Sequence, residues 1–432
     1  MTIQPIQPVA VVAQSLACAT GVGLSTLAAA LQGGDNCLQR NDFTTVPLDC
    51  WIGRMAAVEV QPLPRELSHW DCRATRAAWL GLQADDFITA VAAARERHGA
   101  VRVGLVLGTS ASTIGVSEQA YSAIAAVPTA DGGFPSALRS ESLNSIHAVT
   151  AFVQQALALQ GPCATVSTAC SSSAKAFAHA ERWLRLSLAD AVVVAGVDAL
   201  CGSVLFGFAA LQLLSPEPCQ PFSATRRGIS VGEAAGFALL ERASPGPDAL
   251  QLLGYGESND AHHMSTPHPQ GAGAERALDA ALARAGLAGL DGLDGQGARA
   301  IDFVHLHGTG TARNDEVEAA LVARRYRTDV HASATKGLTG HTMGAAGIVG
   351  AVVSLLALRD GLCAGTPQTP SADPALGAVF SRQLQLRAAA RLARDVRDVP
   401  DVPDVRDVRF AASHSFGFGG NNCVLIFGRG AA

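Results

Sequence analysis

The sequence predicts a layered α/β fold, and three observations carry that prediction. Short runs rich in β-branched residues alternate with longer alanine- and leucine-rich segments along all 432 residues. The strand-like runs are apolar on both faces, the pattern of a sheet covered on each side by helices. Apolar residues make up 48% of the chain and charged residues only 16%, where roughly 25% charged is usual. There is ample material for a large core, and the composition excludes a disordered chain.

In chain order, Val9 to Val12, Val101 to Leu107, Ala164 to Ser167, Ala191 to Val197, Ala235 to Leu240, Leu250 to Tyr255, Ile301 to Leu306, Val408 to Ala412 and Cys423 to Phe427 read as strands. Between them, Leu24 to Leu31, Thr75 to Ala94, Leu143 to Leu159, Ser173 to Leu184, Ala274 to Ala285, Val317 to Ala323 and Gly344 to Leu358 read as helices. Ser244-Pro245-Gly246-Pro247 marks a midpoint, either a linker or a loop within one continuous core, and no self-similarity is apparent between the two sides. Asp395 to Arg409 runs DVR-DVP-DVP-DVR-DVR; a period of three with Pro400 and Pro403 fits neither helix nor central strand and reads as a solvated surface loop.

Lys and Arg total 32 against 37 Asp and Glu, a net charge of −5. That balance argues against a general nucleic-acid binder, while leaving room for a local basic dock. The ten cysteines show no CxxC pair and read as mostly buried thiols in a reducing compartment. Met1 to Pro8 carry no lysine or arginine, so a secretory n-region is not expected. The apolar stretches are expected to break before the ~18 residues of a membrane span. A cytoplasmic protein is the expectation.

Four motifs could carry chemistry. In the run Gly161 to Lys175 (GPCATVSTACSSSAK), Cys170 would sit at the turn from a short strand into an alanine-rich helix. There the helix dipole and free N–H groups are expected to lower a thiol pKa; the bland alternative is one more buried small apolar residue. In His305-Leu306-His307-Gly308-Thr309-Gly310-Thr311, a strand ends in histidine before a glycine-threonine turn, and the two histidines face one side. A metal reading finds no further partner at ligand spacing. Lys336-Gly337-Leu338-Thr339-Gly340-His341 precedes a small-residue helix and lacks the GKS/GKT of a phosphate loop. Ser415 to Asn422 (SFGFGGNN) is a glycine-rich turn, either an anion-binding nest or simply a tight hairpin.

Together and in this order, Cys170, His307, Lys336, His341 and the GFGG turn resemble the β-ketoacyl-acyl-carrier-protein synthases, condensing enzymes of the thiolase superfamily. The resemblance runs from Pro8-Val9-Ala10-Val11-Val12 through GYGESNDAHHM at Gly254 to Met264 and ends at Phe427. It is nearest to the elongating Cys-His-His subclass; Cys423, beyond the turn, is a poor counterpart of a thiolase's second cysteine. The resemblance implies a thiolase fold, two pseudo-symmetric halves with mixed sheets layered between helices (αβαβα), here 1–245 and 246–432. It implies a decarboxylative Claisen condensation of an acyl thioester with malonyl-acyl-carrier-protein, in fatty-acid or polyketide chain elongation. No bound cofactor or metal is implied, the phosphopantetheine arm arriving on the carrier protein.

By the same resemblance Cys170 is the nucleophile, and His307 and His341 donate to the thioester oxygen on which enolate charge builds. The N–H groups of Cys170 and Phe418 form the oxyanion hole, Thr309 and Thr311 hold the phosphopantetheine arm, and Lys336 pairs with Glu318. Phe418 is the gate that admits malonyl only after acylation, and Phe208 lines the acyl pocket. The implied partners are an acyl carrier protein and a second subunit, an identical copy or a chain-length-factor paralogue; a non-catalytic chain-length or scaffold protein would lack the nucleophile. Some family members hold a structural cation at positions occupied here by His305 and Gly350, so that ion is not expected. Gln212 stands where the family's carrier dock often has arginine, with Arg65 and His69 only partly replacing the basic cluster.

Overall fold

In the computed structural model, residues 3–126, 142–242, 246, 249–288, 297–388 and 408–430 are described. Most of the Asp395–Arg409 repeat and of the Ser244–Pro247 midpoint lies outside them. Ten strands run along an eleven-stranded mixed sheet, whose two-residue strand Gly21–Val22 pairs only with the end of the first: β1 (Val9–Cys18), β2 (Val103–Gly108), β3 (Cys163–Val166), β4 (Ala191–Asp198), β5 (Ala234–Glu241), β6 (Leu250–Asn259), β7 (Phe303–His305), β8 (His331–Ser333), β9 (Phe410–Gly417) and β10 (Asn421–Arg429). Their spatial order is β8-β7-β9-β10-β6-β1-β5-β4-β2-β3.

That order contains a repeat invisible in the sequence. In the first half β2 pairs in parallel with β3 and β4, β5 runs antiparallel to β4, and β1 antiparallel to β5. In the second, β7 pairs in parallel with β8 and β9, β10 runs antiparallel to β9, and β6 antiparallel to β10. The two topologies are the same, and they join where Val9 and Ala10 of β1 pair with Leu252 and Gln251 of β6. Every residue of β2, β4 and β5 is buried, as expected of strands covered on both faces.

The helices that matter for the site are α1 (Leu24–Gly33), α2 (Arg73–Gln83), α3 (Phe87–His98), α4 (Ile114–Ala126), α5 (Ala148–Ala156), α6 (Ser172–Arg185), α7 (Gly202–Ala210), α8 (Ala272–Arg284), α9 (Ala312–Arg325) and α10 (Ala346–Asp360). The predicted helix Thr75–Ala94 is two helices. Asp85 and Asp86 take φ of 55° and 56° between them, a conformation aspartate tolerates better than most residues. The Asp85 carboxylate then accepts the N–H of Leu24, the first residue of α1, at 3.0 and 3.1 Å.

α6 and α10 cross in the middle of the molecule, each packed into one apolar core with residues of both sheet halves. α10 is buried on all sides from Ala346 to Leu358, so it shows no amphipathic stripe. Close crossing is possible because position 347 is glycine: a Cβ there would lie 2.3 Å from the backbone nitrogen of Ala174 in α6. Contrary to the expectation that the apolar stretches break early, Met343–Asp360 is long and apolar enough to cross a membrane by length and composition alone. It is a core helix, with 83% of that stretch buried inside the protein.

Candidate active site

The site assembles where strands end and the two central helices begin. Cys170 lies between β3 and α6, beyond Ala169, whose φ of +52° forces the sharp turn that puts the sulfur at the helix mouth. His307 follows β7, and His341 follows the short helix Lys336–Thr339. The three side chains are 6%, 2% and 2% exposed, and their donor atoms all lie within 4.8 Å of one another. His341 Nε2 is 3.0 Å from Cys170 Sγ. The two imidazoles meet edge to face, centroids 5.4 Å apart at 87°.

One backbone contact fixes the tautomer of His341. Met343 N–H donates to its Nδ1 at 3.3 Å, so the proton resides on Nε2 and points at the sulfur. A protonated Nε2 has no lone pair to give, so the trio, although its donor atoms are close enough together for one ion, does not fit a metal. Burial, with the Lys336 charge behind it, holds both His307 and His341 well below the usual histidine range. They stand as neutral imidazoles.

The expected lowering of the Cys170 pKa is not what the structure gives. Burial pushes the thiol up to about 11, outweighing the Lys336 charge and the N–H groups of Phe418 and Cys170, which favour the thiolate. At rest the sulfur is a thiol. These are the N–H groups that the family resemblance implies for an oxyanion hole.

Lys336 and Glu318 also depart from the expected ion pair. Among the described residues no Lys336–Glu318 contact falls within ion-pair distance; the Lys336 ammonium donates instead to the carbonyl of His307. Glu318 takes the other side of that backbone, accepting from His307 N–H at 2.7 Å and Gly308 N–H at 2.8 Å. The two charges clamp one stretch of chain between them. Burial pulls the lysine pKa down, and Glu318 opposes that pull. A group not singled out in the sequence completes the clamp: His414 bonds Glu318 through Nδ1 at 3.1 Å and Tyr326 OH through Nε2 at 2.8 Å.

A second such group is Asp198, at the end of β4. Its buried carboxylate accepts from Thr109 Oγ1 (2.7 Å), Ser110 N–H (2.8 Å) and Oγ (2.7 Å), Ala111 N–H (2.9 Å) and Gly344 N–H (2.6 Å). It thereby ties the loop after β2 to the Met343 turn that orients His341.

Cys170, His307 and His341 open into a cavity of about 470 Å³ whose walls include Thr309, Thr311, Phe208 and Phe418. The two threonine hydroxyls are 2.8 Å apart, and the rings of Phe208 and Phe418 pack with centroids 5.7 Å apart. Gln212 lines this cavity, with Arg227 and Arg313 exposed beside it. Arg65 and His69 are exposed but lie elsewhere, on the turn Arg65–Trp70. The structural cation finds no seat. A Cβ at Gly350 would lie 2.5 Å from Ser413 Oγ and 2.8 Å from His305 Nδ1, and burial takes His305 down to about 3, a neutral ring. An imidazole and a bare α-carbon do not supply the oxygen ligands such an ion needs.

Comparison with known proteins gives the chain's family and its structural relatives. The family model for the beta-ketoacyl synthase N-terminal domain matches residues 7–245, and that for the beta-ketoacyl synthase C-terminal domain matches residues 250–369. The chain is 35% identical over 287 residues to 3-oxoacyl-[acyl-carrier-protein] synthase 2 of Rhizobium meliloti (strain 1021), spanning 63% of this chain and 62% of that one. It is 32% identical over 341 residues to nodulation protein E of the same organism, spanning 76% of each. Among solved structures it superposes on the ketosynthase ApeO of Xenorhabdus doucetiae, determined in complex with its chain length factor ApeC, with a TM-score of 0.83, 32% identity and 98% of each chain covered.

Proposed function

This chain belongs to the β-ketoacyl synthase family, and from that premise we propose that Cys170, His307 and His341 carry out a decarboxylative condensation with malonyl-acyl-carrier-protein. The single observation that carries the assignment is the 3.0 Å approach of His341 Nε2–H to the Cys170 sulfur.

In the first half-reaction the Cys170 sulfur attacks the acyl thioester of the carrier protein. The new thioester forms on Sγ, and the carrier thiol leaves with the proton that Cys170 gives up. The nearby Lys336 charge and the N–H groups of Phe418 and Cys170 stabilise the sulfur anion and then the tetrahedral oxyanion. In the second, malonyl thioester loses CO2, and the electron pair of the broken C–C bond becomes an enolate. Neutral His307 and His341 are suited to donate to that enolate oxygen without giving up a proton. The enolate carbon attacks the acyl carbon, the C–S bond to Cys170 breaks, and the thiolate takes a proton.

Lys336 and Glu318 act through the backbone, fixing His307 from both sides. Thr309 and Thr311 receive the pantetheine arm at the cavity wall, Phe208 borders the acyl chain, and Phe418 is the gate. The acyl carrier protein is the partner for both half-reactions, and the halves 1–245 and 246–432 contribute nucleophile and histidines respectively. The 32% identity over 98% of a ketosynthase solved with its chain length factor favours a second reading, that this chain is the catalytic member of a heterodimer and not of a homodimer. A cytoplasmic enzyme suits both readings.

The test is single-turnover kinetics with acyl- and malonyl-carrier protein, followed by native mass spectrometry of the assembly. A 3-oxoacyl product two carbons longer than the primer supports the reaction; release of free acyl chains or acetyl thioester alone refutes it. A stable complex made only of this chain refutes the heterodimer.

A further inference from the structure

The sequence holds two lysines, Lys175 and Lys336, against 30 arginines. A lysine offers a compact point charge on a flexible stem where an arginine offers a planar fork, and the two lysines stand close to Cys170 and His307 respectively. Lys336 is behind His307, as described. Lys175 lies on α6, one turn beyond Cys170, half-buried, and its Nζ donates to Asn421 Oδ1 at 2.9 Å across 246 residues of chain.

Asn421 is the first residue of β10 and closes the GFGG turn; its Nδ2 donates in turn to the carbonyl of Phe418 at 3.4 Å. The turn is seated on the same helix mouth, since a Cβ on Gly417 would lie 2.9 Å from the carbonyl oxygen of Thr168 and 3.1 Å from the nitrogen of Ser171. A donor on the nucleophile helix therefore reaches, through one amide, the backbone of the residue whose own N–H faces the Cys170 sulfur.

We propose that Lys175 is a positioning residue which, through Asn421, latches the Phe418 gate over the unacylated Cys170. The proposal rests on the gate role given to Phe418 above. The latch adds a preference for the closed turn; losing it shifts the population toward the open one. An open gate on free enzyme admits malonyl thioester too early. CO2 then leaves, the enolate has no acyl carbon to attack, and it takes a proton from solvent to give acetyl thioester.

The experiment compares wild type, Lys175→Met, Asn421→Ser and Phe418→Ala, each given malonyl-acyl-carrier-protein with and without an acyl primer. The readout is the ratio of uncoupled acetyl thioester to 3-oxoacyl product. Methionine keeps the stem packing of Lys175, and the Asn421 variant breaks the same link from the other end should the first fail to fold. The expected result is a rise in that ratio of roughly tenfold in both latch variants, the scale of one lost charge-assisted hydrogen bond. An unchanged ratio in the latch variants, alongside a raised one in Phe418→Ala, overturns the latch. An unchanged ratio in Phe418→Ala overturns the gate itself, and the latch with it.

Discussion

His341 Nε2 lies 3.0 Å from Cys170 Sγ although 171 residues separate them in the chain. One residue belongs to each topological half, so the contact exists only when both halves are folded against each other. It gives the sulfur a neutral donor, not a base, and the expected behaviour of the site follows from that difference.

His341→Ala should slow malonyl decarboxylation by about 10²–10³, the usual cost of removing one donor from a developing oxyanion. Acylation of Cys170 should fall less, because in the proposed mechanism the oxyanion of that step is held by the N–H groups of Cys170 and Phe418. Measuring the two half-reactions separately, by CO2 release and by acyl-enzyme formation, checks this. Equal losses would mean a collapsed site and not a missing donor.

Stability should fall steeply on the acid side. His305, His307 and His341 are buried and neutral, with pKa values held below the ordinary 6.5 by burial. The unfolded chain binds those protons near pH 6.5 while the native state refuses them, so each histidine lowers unfolding free energy by about 1.4 kcal/mol per pH unit below that point. The stabilisation is present above pH 6.5 and lost as pH falls toward the native values. Urea midpoints at pH 7.0 and 5.5 measure it. Cys170 acts at the other end: its raised pKa, about 11, makes stability fall as pH climbs above 9.

Much of the chemistry was legible in the sequence because its carriers sit in conspicuous local runs: a cysteine opening an alanine helix, histidines beside glycine turns, a GFGG hairpin. Nine of the ten strands along the sheet were legible for the same reason, each containing a short apolar run such as Ala191–Asp198, whereas β8, His331–Ser333, is three residues long with only one apolar side chain and gives no such run. Asp198 and His414 were not, since what defines them is donors arriving from distant segments, and no spacing announces that. α4 and α7 lack any clean 3.6-residue stripe, Gly202–Ala210 being glycine- and phenylalanine-rich and buried only at Leu205. The sign of the Cys170 pKa shift was misread because the helix dipole is a local feature and burial is not. The Lys336–Glu318 pair was misassigned for a related reason: whether two charges meet or clamp a peptide between them is decided by ångström-scale packing.

Glu318→Gln tests that clamp. An amide offers one acceptor oxygen where the carboxylate offers two, and the N–H groups of His307 and Gly308 occupy both. One buried donor is left without an acceptor, at a cost of about 1–3 kcal/mol. Thermal unfolding should shift down accordingly, with turnover falling further than acylation because His307 is displaced. A variant with wild-type stability and turnover would remove Glu318 from the site.

Gly347→Ala should destabilise the fold by at least about 1–3 kcal/mol, the usual range for overpacking. The new methyl would lie 2.3 Å from the backbone nitrogen of Ala174, forcing α6 and α10 apart just behind Cys170. Denaturant unfolding and the rate of acylation should both report it. Unaltered values would show that the helices cross less tightly than the structure has them.

The most direct measurement is intact and peptide-level mass spectrometry of the protein after incubation with an acyl-charged carrier protein, followed by malonyl-carrier protein. The expected result is one acyl group on Cys170, absent in a folded Cys170→Ala variant. It should be discharged on malonyl addition as a 3-oxoacyl thioester two carbons longer. An adduct that persists in Cys170→Ala, or a wild-type protein that elongates chains while its Cys170 stays unmodified, would contradict the account.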